Sequence, residues 1–84
     1  MKKYFFEVRK QELLNMINER KSMATISNNI LKELNVLEQI LKKYTFEDRL
    51  SYKELLSHTI ADSFEFNSPI EDIVERACWF DKAI

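Results

Sequence analysis

The sequence predicts an all-α fold, a small bundle of about four helices, and three observations carry that reading. None of the 84 residues is glycine, where average usage of about 7% would supply roughly six. Glycine makes the positive-φ corners of hairpins and tight loops, so a chain without it is best built from helices with undemanding connections. Apolar residues recur at helical spacing through the first half. Two S-x-x-E boxes then mark helix starts in the second half.

The first helix is expected near residues 4–20, with Phe6, Leu13 and Ile17 on one side and Met16 beside them. The second, near 27–44, is the clearest amphipathic segment, because Ile30, Leu34, Leu37, Leu41 and Tyr44 alternate by four and three. A third is expected near 51–64. Its start is Ser51, whose hydroxyl can accept the free amide three residues on while Glu54 reaches back. Its apolar side is Tyr52, Leu55, Leu56, Thr59 and Ile60. The fourth, near 69–82, opens with Ser68-Pro69-Ile70-Glu71, a second box with proline at the first helical position, where its missing N–H costs nothing. On a helical wheel Ile70, Ile73, Val74, Ala77 and Ile84 cluster, Phe80 edges them, and Trp79 falls nearly opposite.

The joint between the first two helices is the open point. Met16, Met23, Ile30, Leu37 and Tyr44 recur every seven residues, interleaved with Leu13, Arg20, Ser27, Leu34 and Leu41. That series allows a single helix over 4–44, about 60 Å long, which would need a coiled-coil partner and suggests a homodimer through residues 13–44. Against one helix, Arg20 and Ser27 sit on the seam, and residues 22–29 are rich in poor helix formers. A break is the favoured reading, with Thr25 or Ser27 as cap.

One domain spans residues 1–84, and a domain this small buries only about 60–65% of its unfolded surface. Hydrophobic residues are 45% and charged residues 32%, a globular composition. No apolar run is long enough to span a bilayer. Met1 to Phe6 mimics the opening of a signal peptide, but Glu7 ends that run early. One cysteine makes no internal disulfide, and a reducing, cytoplasmic setting is expected. The net charge of −1 hides an asymmetry. Residues 1–43 carry nine Lys/Arg against five Asp/Glu, whereas residues 62–84 carry two against six.

Catalytic chemistry is thin. Glu54, His58 and Asp62 share a helix face, but stable metal sites take three or four ligands, usually with more than one His or Cys. Cys78 has acidic or apolar neighbours and no base to depress its pKa. The many carboxylates lack a shielded site that would separate their pKa values, and a glycine phosphate loop is impossible. No enzyme activity, metal or cofactor is expected. A helix-turn-helix over residues 51–80 is the alternative, a transcription regulator, but its second helix exposes Glu71, Asp72 and Glu75 against Arg76 alone. Nucleic acid is therefore not the expected partner.

Two resemblances stop short of a family. Leu31-Lys32-Glu33-Leu34-Asn35 with Leu37 to Tyr44 resembles the helical hairpin of small sporulation aspartyl-phosphate phosphatases. Leu31, Lys32 and Asn35 stand where that family has its Ser-Gln-x-x-Asp signature, so its activity is not implied. Lys43 to Glu54 resembles a degenerate EF-hand, with Lys43 replacing the first acidic ligand and Asp48 the turn glycine, so calcium is not expected.

What remains is a non-enzymatic protein that binds another protein, as inhibitor, regulator, adaptor or immunity-type factor. Lys/Asn/Glu-rich chains of this size are common on phages and mobile elements. The expected contact surface is Trp79 with Asp72, Glu75 and Arg76, a large aromatic amid charges, the alternatives being that a second layer of the same protein covers the indole or that the helix ends before residue 79. The acidic C-terminal part suggests a partner with a basic patch.

Overall fold

A computed structural model of the chain describes residues 2–23, 25–63 and 69–84. Among the described residues four helices follow one another, α1 (Lys3–Lys21), α2 (Asn28–Lys43), α3 (Leu55–Ser63) and α4 (Glu71–Ala83). The first packs on the second and fourth, and the third does the same, so the helices form a ring in chain order. Two long-range contacts set the directions. Lys10 on α1 donates to the Tyr44 carbonyl just past α2 at 2.6 Å, and Arg20 reaches Asp72 at the start of α4. Both neighbours of α1 therefore run antiparallel to it.

The single helix over 4–44 does not form. α1 closes at Lys21, and the Ser22 hydroxyl donates to the Glu19 carbonyl at 2.7 Å. α2 opens behind Ser27, whose Oγ accepts the Ile30 amide at 3.3 Å, an N-cap in extended backbone. Between them the Met23 amide donates to the Arg20 carbonyl and the Ile26 amide to the Met23 carbonyl, both i→i+3 bonds. The heptad series then folds back on itself: Leu13, Leu34, Leu37, Leu41 and Tyr44 are all buried within one chain. Of the same series, Met16 and Ile30 are half-buried and Met23 is exposed.

The core joins those residues to Phe6, Ile17, Leu56, Ile70, Ile73, Ala77 and Phe80. Its aromatic centre is Phe6, whose ring lies 5.8 Å from Phe46 and 5.3 Å from Phe80. Tyr44 in turn meets Phe80 at 5.8 Å and Tyr52 at 5.7 Å. Such tilted and edge-on pairs add to the area they bury.

Both boxes of the second half require correction. α3 begins at Leu55, not Ser51. Residues 48–53 instead make successive i→i+3 turns, from Ser51 N–H to Asp48 C=O through Lys53 N–H to Leu50 C=O. Glu54 then adopts φ 72°, a left-handed conformation that no α-helix interior accommodates. The amide that Ser51 would have capped, Glu54 N–H, donates to Asp81 Oδ1 at 2.8 Å. α4 begins at Glu71 behind an Ile70 N-cap with no side-chain cap bond. Pro69 thus precedes the helix in a turn, and its carbonyl accepts from Arg20. Ser68 and the expected end of the third helix at residue 64 lie outside the described residues.

Candidate functional site

The antiparallel pairing of α1 and α4 leaves a groove of about 310 Å³ between them. Stepping by three and four along α1 places Arg9, Glu12, Leu13 and Met16 on its near wall. The facing stripe of α4 supplies Arg76, Trp79, Phe80 and Ala83. Leu13 and Phe80 are buried and belong to the core, so the floor of the groove is apolar. Trp79 stands at the rim and is 71% exposed.

Trp79 is accordingly outside the core, as its wheel position implies. Its expected companions divide. Arg76 lines the groove beside it, exposed and without an ion pair among the described residues. Asp72 is turned to another purpose: its Oδ2 accepts from Arg20 Nη2 at 2.8 Å while Arg20 Nη1 donates to the Pro69 carbonyl at 3.1 Å. Arg20, the misfit of the heptad series, ties the end of α1 to the start of α4. Glu75 is exposed and lines a separate, outer hollow with Cys78, Trp79, Lys82 and Ala83. On the α1 wall Arg9 donates to Glu12 at 3.1 Å, which leaves Arg76 as the uncompensated charge at the rim.

A second polar constellation escaped sequence reasoning. Asp81 is fully buried, and its carboxylate accepts four bonds. Oδ1 takes the Tyr44 hydroxyl at 2.7 Å and the Glu54 amide at 2.8 Å. Oδ2 takes the Ser57 hydroxyl at 2.9 Å and the Ser57 amide at 3.1 Å. The Tyr44 oxygen also accepts the Leu56 amide at 3.1 Å and lies 2.6 Å from the Tyr52 carbonyl. Burial, and then the hydrogen bond to Asp81, push the Tyr44 phenol far above its ordinary range, so it stays neutral and able to donate. Free amides at the start of α3 are thereby satisfied by a carboxylate from α4, where the helix dipole favours negative charge. A wheel does carry the signal, since Asp81 follows Ala77 by one turn on the apolar stripe.

This constellation caps the start of α3. His58, the single histidine, is exposed, with Nε2 3.8 Å from Glu54. Asp62, the third member of the expected trio, is exposed as well. Among the described residues no group of three His, Cys, Asp or Glu is placed to hold a metal ion. Cys78 is a half-buried free thiol. Among the described residues no helix is long and apolar enough to cross a membrane. Comparison with protein-family models, with curated proteins and with solved structures finds no match to this chain.

Proposed function

We propose that this chain is a non-enzymatic helical protein that acts by binding another protein, with the α1–α4 groove as the contact surface and Trp79 as its anchor. The observation that carries the reading is the position of Trp79. A tryptophan 71% exposed at the rim of an apolar-floored groove offers a large buried area on binding and a single N–H to satisfy. A side chain that gives up so much apolar contact within its own fold gains it when a partner covers the groove.

The charges around the groove refine the expected partner. The basic patch anticipated from the acidic C-terminal part counts Asp72 and Asp81, yet Asp72 pairs with Arg20 and Asp81 is buried. The charged residues that line the groove are Arg9 and Glu12 on α1 and Arg76 on α4. A partner surface carrying both signs around an apolar centre fits this rim, with a carboxylate opposite Arg76.

The test is capture from a lysate of the source cells on immobilised protein, run beside Met16→Lys, Arg76→Glu and a distant control, Lys43→Glu. The expected result is a protein retained by wild type and control and lost with both groove variants. A lysate that yields no protein, or one retained equally by all four, overturns the reading.

A further inference from the structure

Trp79 is a ridge with a hollow on each side. The inner hollow is the groove against α1. The outer one, about 660 Å³, is bounded by α4 alone, through Glu75, Cys78, Trp79, Lys82 and Ala83. Charge along it has a symmetry of its own. Glu75 stands three residues before Cys78, and Lys82 three residues after Trp79. Seven residues are close to two helical turns, so the two charges end one stripe of the helix with the thiol and the indole between them. Both are exposed, and among the described residues neither forms an ion pair within its own chain.

Such a stripe is complementary to itself when reversed. Place a second α4 antiparallel to the first, with a two-fold axis passing between residues 78 and 79. Glu75 then faces Lys82 of the second copy, and Lys82 faces its Glu75, so one symmetry operation makes two ion pairs. The indole ridge of each copy lies along the hollow of the other. A parallel arrangement would set like charges side by side. We propose that the outer hollow is covered by a second copy of this chain, in an antiparallel two-fold dimer centred on Cys78 and Trp79.

The size of the contact sets its strength. α4 has 13 residues, so it is about 20 Å long, and a single helix face covers less than the ~800 Å² per partner of a standard interface. A dimer with a dissociation constant in the micromolar range or weaker is expected. Trp79 borders both hollows, so the two contacts compete for its indole, and the tests are kept apart by Glu75 and Lys82, which do not line the α1–α4 groove.

Sedimentation equilibrium of the full chain tests it, from about 10 µM to about 1 mM, concentrations that bracket such a constant. Wild type should approach twice the 10.1 kDa chain mass at the upper end. Glu75→Lys sets two lysines against each other at both ends of the contact, and Lys82→Glu does the same with carboxylates. Each should weaken association at least about tenfold, and the double variant, which restores opposite charges, should recover to within about threefold of wild type. The single cysteine gives an independent reading, since a short bis-maleimide should join two chains through Cys78 in wild type and the double variant but not in either single variant. A wild type that stays monomeric at the highest concentration overturns the proposal. So does a dimer indifferent to the single swaps, or one that the double swap fails to restore.

Discussion

Asp81 on α4 accepts a 2.7 Å hydrogen bond from the hydroxyl of Tyr44, and the pair links the end of α2, the start of α3 and the last turns of α4. Their oxygens take up the amides of Glu54, Leu56 and Ser57, where a local cap would otherwise be required. The short, irregular entry to α3 is thus held from outside its own sequence. Asp81→Asn keeps the shape but turns an amide N–H₂ toward groups that donate, and should cost about 3 kcal/mol. Tyr44→Phe leaves the Leu56 amide unpaired and should cost about 1–2 kcal/mol. Because both act on one network, the double variant should lose less than the sum. Urea unfolding of the three variants checks this, and full additivity would separate the two residues.

Ser27 separates α1 from α2. Its Oγ is the side-chain cap of α2, and nothing else in the segment breaks the chain by steric force, since the only proline is Pro69. Ser27→Ala should therefore cost about 1 kcal/mol, while Ser27→Asp should hold or exceed wild-type stability because a carboxylate also suits the positive end of the helix. Thermal unfolding of the two variants distinguishes a cap from a spacer. Equal melting temperatures for Ala and Asp would remove Ser27 from the account.

Helical periodicity alone makes much of the core legible. Phe6, Leu13, Ile17, Leu34, Leu37, Leu41, Ile73 and Ala77 are buried where helical spacing puts them, and Trp79 is exposed for the same reason. The start of α3 was not legible, because a capping box is a local signal and the competing cap, Asp81, is 27 residues away from Glu54. Arg20 illustrates the complementary failure. As a seam residue it argued against a continuous helix, but its tie to Asp72 and Pro69 depends on a pairing of α1 with α4 that no spacing along one helix encodes. The groove itself arises from that same pairing. Its walls are readable helix by helix, and their meeting is not.

Glu38 gives the fold an acid-sensitive tie. It accepts from Lys21 on α1 at 3.0 Å and from Lys42 on α2 at 3.2 Å. The hydrogen bond from Lys21, and then that from Lys42, hold the Glu38 carboxyl below its ordinary value of 4.5. A depressed folded-state value means that the contribution is fully present above about pH 4.5 and fades as the pH falls through the lower folded value. The pair is near the surface, so about 0.5–1 kcal/mol is expected. Glu38→Gln should lower stability by that amount at pH 7 and converge with wild type toward pH 3. Urea unfolding at both pH values checks the sign. A gap that stays constant or widens in acid would show that packing, not charge, connects Glu38 to its lysines.

Trp79 is the only tryptophan, which makes it its own reporter. At 71% exposure its emission should lie near that of the free amino acid and be quenched readily by iodide. Its removal should barely disturb the fold, since the buried side of α4 is made by Ile73, Ala77 and Phe80. Trp79→Ala should accordingly leave stability within about 1 kcal/mol, as surface substitutions do. Binding should respond differently. An anchor at the centre of a contact loses about 2 kcal/mol or more on truncation, close to 30-fold in affinity. Addition of the captured partner to wild type should shift the emission to the blue and protect it from iodide. A partner that binds tightly while Trp79 stays open to iodide would move the contact surface off the α1–α4 groove. A variant that unfolds would instead place the indole among the groups that hold the bundle together.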